Sequence, residues 1–157
     1  MLITSLILGS AFIAIIYGAI VIASILRLPE GNEKMKEIAQ AIQSGARAFL
    51  NRQYKTVAVV AIALFIIIAL IPSLGWYTAW AFLAGSVLSA LTGYIGMFVS
   101  VRANVRTTEA ARGGLQKALN VAVRGGSVTG MLVVGLALFG TAGFYFFTQN
   151  LPNNEGL

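Results

Sequence analysis

Glu30, Glu33 and Glu37 are the closest-spaced carboxylates in this sequence, and carboxylate oxygens are what Mg²⁺ prefers. Yet Glu33 falls in a predicted first helical turn, where negative charge complements the macrodipole, and Lys34 and Lys36 are interleaved. The cluster therefore reads as helix electrostatics and not as a cation site. Arg102, Arg106 and Glu109 stand at i, i+4 and i+7, so they share one helix face. Such a face could meet a phosphate. The preferred reading is a solvated helix end carrying an Arg–Glu pair. The chain has no His, no Cys and no Asp, which removes thiolate metal sites and His-based triads together. No Gly-rich phosphate loop or metal-ligand spacing is present either. No catalytic, cofactor-binding or metal-binding residue is assigned.

Composition explains why chemistry is so sparse. Of 157 residues, 58% are hydrophobic and 10% charged, against about 25% charged in a soluble domain. All 11 Lys and Arg fall within two windows, residues 27–55 and 102–124. The remainder is almost free of charge. A net charge of +6 would otherwise point to nucleic acid. Here it belongs to loops flanking membrane-length segments, and no nucleic-acid partner is expected.

The expected fold is all-α: a polytopic membrane protein of four transmembrane helices in a single transmembrane region, residues 1–157, with the lipid bilayer as its first partner. The spans are read at about 2–26, 57–71, 78–101 and 128–147, with basic loops at 27–55 and 102–124. The first run carries no charge before Arg27, so it reads as a retained span and not as a cleavable signal peptide. Pro72, Ser73 and Gly75 split the long apolar run between the second and third spans, and Trp76, Tyr77 and Trp80 follow as interfacial aromatics. Placing both basic windows in the cytoplasm puts the N-terminus and the polar tail, residues 149–157, outside.

Both basic windows are predicted helical. Residues 28–31 (LPEG) break the first helix, and Asn32 is an N-cap for a helix that runs through Lys55 into the second span. Arg102 to Arg112 prolong the third span, and Gly113-Gly114 then separates it from a helix leading into the fourth. Three small-residue stripes, Ser10/Ala14/Gly18, Gly85/Ser89/Gly93 and Gly126/Gly130, predict close helix packing within the bundle. No span contains the ionisable side chain that a primary pump or proton-coupled carrier needs, which also argues against a four-helix drug exporter working alone.

Three stretches carry a family resemblance: residues 35–56 (MKEIAQAIQSGARAFLNRQYKT), 93–112 (GYIGMFVSVRANVRTTEAAR) and 125–131 (GGSVTGM). They resemble, in order, the first cytoplasmic loop, the end of the third helix and the start of the fourth helix of the ion-translocating membrane pyrophosphatases. The resemblance covers nearly all of residues 27–147. It implies a homodimeric multi-pass pump that hydrolyses pyrophosphate with Mg²⁺ and moves H⁺ or Na⁺ outward. It also implies that the Asp-rich site lies on later helices, because no Asp is present here. The chain is then an N-terminal, outer-helix fragment, not catalytic on its own. Residues 49–60 look most like bacterial proton-pumping members, which favours H⁺ and a bacterial plasma membrane. The alternative is a stand-alone four-helix accessory or assembly protein.

Overall fold

A computed structural model describes residues 2–148. The predicted tail, residues 149–157, lies outside the described residues. Four helices follow one another: α1 (Leu2–Leu26), α2 (Glu33–Leu70), α3 (Gly75–Ala111) and α4 (Leu115–Thr148). All four are long and apolar enough to cross a membrane. The 38 residues of α2 give it about 57 Å of length, nearly twice a hydrocarbon core of about 30 Å. The helices therefore carry their charged ends well beyond an apolar slab.

Each predicted boundary has a local cause. The Asn32 side chain accepts from the Met35 backbone N–H at 3.0 Å, capping α2, which then runs unbroken through Lys55. Ile71 ends α2 as its C-cap, just before Pro72. Arg112 caps α3, and Gly114, at φ 111°, provides the left-handed turn into α4.

The packing is unequal. α4 lies between α1 and α3, whereas α2 leans on α3 alone. Val21 and Ile25 of α1, Val99 and Ala103 of α3, and Val128 and Leu132 of α4 form one core nearer the basic end. α2 buries only Ala39 and Leu50, and Tyr54 fastens it by donating to the Ala90 carbonyl at 2.8 Å. At the other end, Phe65 meets Trp76 and Trp80 edge-on, with centroids 5.9 and 5.5 Å away.

The small-residue stripes are partly redrawn. A Cβ on Gly135 would come within 3.1 Å of the Ala11 carbonyl oxygen and 3.2 Å of the Ala14 methyl, so α1 and α4 touch there almost backbone to backbone. Ala14 takes part in this contact and Gly18 faces the Leu132 side chain of α4, but Ser10 is exposed. Between α3 and α4 the close positions are Gly96, Gly125 and Gly140. Gly85, Gly126 and Gly130 have nothing within reach of a Cβ. The predicted stripe Gly85/Ser89/Gly93 instead lines an open groove of about 670 Å³ between the halves of α3 and α4 that lie away from the basic end. Spacing alone named the right residue types but could not say which face of the helix was covered.

Candidate functional site

The polar side chains gather at the basic end, around the link from α1 to α2. α1 has no basic residue in its last turn, so its terminal carbonyls need donors from elsewhere. The chain turns at Arg27, with the Leu28 N–H returning to the Ile25 carbonyl at 3.0 Å. Gly31 sits at φ 84° and lies so close over α3 that a Cβ would be 2.7 Å from Glu109 Oε2. The turn favours glycine there, whereas the close atoms are flexible side-chain ends that could shift.

Arg106 fills the space beneath this link. Its Nε donates to the Leu28 carbonyl at 3.1 Å, and one terminal nitrogen donates to the Leu26 carbonyl at 3.0 Å. That same nitrogen lies 2.9 Å from Glu30 Oε1. The other donates to the Arg102 carbonyl on its own helix at 2.7 Å. Its side chain is only 7% exposed. A guanidinium offers five N–H donors in a fixed fork, and most of them are used here. Arg106 thus supplies from α3 the C-terminal cap that α1 lacks, with positive charge at the negative end of the helix dipole.

This corrects the sequence-based reading of the Arg102/Arg106/Glu109 face. Arg106 is buried, not solvated, and its carboxylate is Glu30, 76 positions away in the chain. Glu109 pairs with Arg112 instead, at 3.4 Å. Arg102 stacks its guanidinium 3.5 Å above the Phe98 ring and donates to the Phe98 carbonyl at 3.1 Å. The signal in the sequence is the apolar company of Arg106: Ala103 one turn before it and Val105 beside it, both of which the structure buries.

The acidic candidates do not converge. Glu30 is taken by Arg106, and Glu33 pairs with Lys36 at 2.8 Å. That hydrogen bond raises the Lys36 ammonium above its ordinary pKa. Glu37 is exposed on the α2 surface. Among the described residues no three His, Cys, Asp or Glu side chains come together as a metal-binding group. The arrangement can brace helices and present positive charge. Among the described residues it gathers no carboxylate set for a divalent ion.

A family model described as inorganic H⁺ pyrophosphatase matches residues 12–156. A K⁺-insensitive pyrophosphate-energized proton pump of Methanosarcina mazei is 49% identical over 87% of this chain and 20% of its own length. Another of that description, from Caldanaerobacter subterraneus, is 39% identical over 94% of this chain and 24% of its own length. A K⁺-stimulated pyrophosphate-energized sodium pump of Thermotoga maritima is 45% identical over 82% of this chain and 18% of its own length. The chain therefore spans between 18% and 24% of the length of these curated relatives.

Proposed function

Because this chain belongs to the inorganic H⁺ pyrophosphatase family, we propose that it is the outer-helix, N-terminal part of a pyrophosphate-energised ion pump. It is an integral membrane protein. Its own role is to brace: α1, α3 and α4 form a packed wall, and the projecting ends of α2 and α3 carry positive charge beyond the membrane surface. In this reading the basic ends face the cytoplasm, which the positive-inside bias of eleven Lys and Arg against none elsewhere supports. The two chain ends then lie outside.

The observation that carries the reading is the family match over residues 12–156 in a chain where three of the four described carboxylates, Glu30, Glu33 and Glu109, are paired with cations. Pyrophosphate hydrolysis requires carboxylates that hold Mg²⁺ and orient water. Glu30, Glu33 and Glu109 each neutralise a neighbouring cation, so the residues present do not fit a Mg²⁺–pyrophosphate site. The metal, the substrate and the ion gate belong to the remaining length of the pump. We assign H⁺ as the transported ion, a homodimer as the working assembly and a bacterial plasma membrane as the location. The proton assignment rests on residues 49–60 and on the proton-pump names of the Methanosarcina and Caldanaerobacter relatives.

A graft tests the proposal. The matching segment of the Methanosarcina pump is replaced by this chain, and pyrophosphate hydrolysis and H⁺ uptake are measured in inverted vesicles. The graft should retain both activities, while this chain expressed alone should release no phosphate above empty membranes. Turnover by the chain alone, or a well-inserted graft with no activity, would overturn the assignment.

A further inference from the structure

Unlike Arg106 and Arg112, two neighbouring arginines are left without carboxylates. Arg47 of α2 and Arg102 of α3 line one open cleft of about 90 Å³, together with Gln43, above a floor that includes Leu50, Met97 and Phe98. The stack on Phe98 and the bond to its carbonyl hold the Arg102 guanidinium at the cleft. Arg47 makes no ion pair among the described residues. Arg47 and Arg106 repel the Arg102 charge, and the carboxylate that attracts it, Glu30, is already held by Arg106. The cleft is thus positive, open and uncompensated.

Its position narrows what would neutralise it. Arg102 is the first charged residue after the uncharged run that starts at Gly75, so the cleft lies where an apolar slab ends. Below it α2 and α3 meet where the Tyr54 and Tyr94 rings stand edge to face, and the apolar window of α2 that follows has none of its residues buried. A free inorganic anion calls for donors all round. Here the donors are the two guanidiniums with Gln43 and Tyr94, the rest of the lining is apolar, and the backbone N–H groups are used within the two helices.

We propose that this cleft binds the phosphodiester of an anionic phospholipid, with Arg47 and Arg102 on the phosphate and an acyl chain along the α2–α3 seam. Basic pockets between membrane helices are suited to such headgroups, each arginine contributing about a fivefold gain in affinity. The lipid would hold α2, the least packed helix, against α3. The inference does not depend on the pump reading.

The test is native mass spectrometry of the full chain released from nanodiscs of equal phosphatidylglycerol and phosphatidylcholine. Phosphatidylglycerol adducts should dominate. The double variant Arg47→Gln/Arg102→Gln should lower the ratio of the two lipids by about 25-fold at low salt, and Arg47→Gln alone by about fivefold. Arg47→Lys should restore most of the preference, and Arg112→Gln should leave it unchanged. Because Arg47 is exposed, its single variant carries the test if the double variant does not fold. Equal retention of both lipids by the unaltered chain, or undiminished preference in Arg47→Gln, would overturn the proposal. So would displacement of the lipid by millimolar phosphate or pyrophosphate, which would mark a free-anion site.

Discussion

Replacing Arg106 by Gln should cost more stability than any other single charge removal at the basic end. Gln reaches at most one of the partners that Arg106 joins, namely the Leu26, Leu28 and Arg102 carbonyls and the Glu30 carboxylate. A hydrogen bond from a charged donor is worth about 1.5–3 kcal/mol, and roughly half is recovered where water reaches the freed carbonyls. Glu30 is 37% exposed, so its pair counts only at a surface value of up to about 1 kcal/mol. The sum is about 3 kcal/mol, or roughly 150-fold in the unfolding equilibrium. Arg106→Lys keeps the charge but loses the planar fork, and about half of that loss should remain. Denaturant titration in mixed micelles, followed by Trp76 and Trp80 fluorescence at the far end of the bundle, reads the effect. Arg112→Gln is the comparison, because Arg112 is 65% exposed and its pair with Glu109 is long. If Arg106→Gln costs no more than Arg112→Gln, the claim that α3 caps α1 through Arg106 is wrong.

Three further expectations follow from particular contacts. Gly135→Val should force α1 away from α4 and lower the unfolding midpoint sharply, whereas Gly85→Ala, with nothing within 4 Å, should be close to neutral in the same assay. Tyr54→Phe removes the bond to the Ala90 carbonyl, and loss of about 1 kcal/mol should appear as faster hydrogen exchange in α2 with α1 unaffected. Because the chain has no native Cys, Ser44→Cys and Ser73→Cys report sidedness directly: in intact cells an impermeant maleimide should label Ser73→Cys and spare Ser44→Cys. The reverse pattern would invert the proposed orientation.

Helix identity and boundaries were legible because their causes are local. The Asn32 cap, the Pro72 break and the Gly113-Gly114 turn each act within a few residues of themselves. Partner choice was not legible in the same way. Arg106 and Glu109 share a helix face as spacing requires, but Glu30 reaches Arg106 only after the chain has crossed from α1 to α3. The same limit explains the glycine stripes. Gly93 is three residues from Gly96 and equally small, yet Gly96 meets Thr129 of α4 while Gly93 meets the Tyr54 hydroxyl of α2. Periodicity gives a face, and only the fold says what stands opposite it.

The unequal packing bears on how such a piece could serve a pump. Lipid tails are as apolar as the helices, so adhesion within a membrane depends on close backbone approach and on polar bonds. α1, α3 and α4 have both: glycine contacts along their seams and Arg106 tying α3 to the end of α1. α2 has few of either inside its apolar half, and it is held mainly by Tyr54 and the contacts near Leu50. A rigid three-helix wall with one loosely held helix is what a brace needs if it must stay fixed at one side and adapt at the other. The prediction is a graded one. Hydrogen exchange in a lipid bilayer should be slowest in the α1/α3/α4 core around Ile25, Val99 and Val128, and faster along α2 than at the same depth in the other three helices. Uniform protection across all four helices would remove the mechanical distinction between wall and arm.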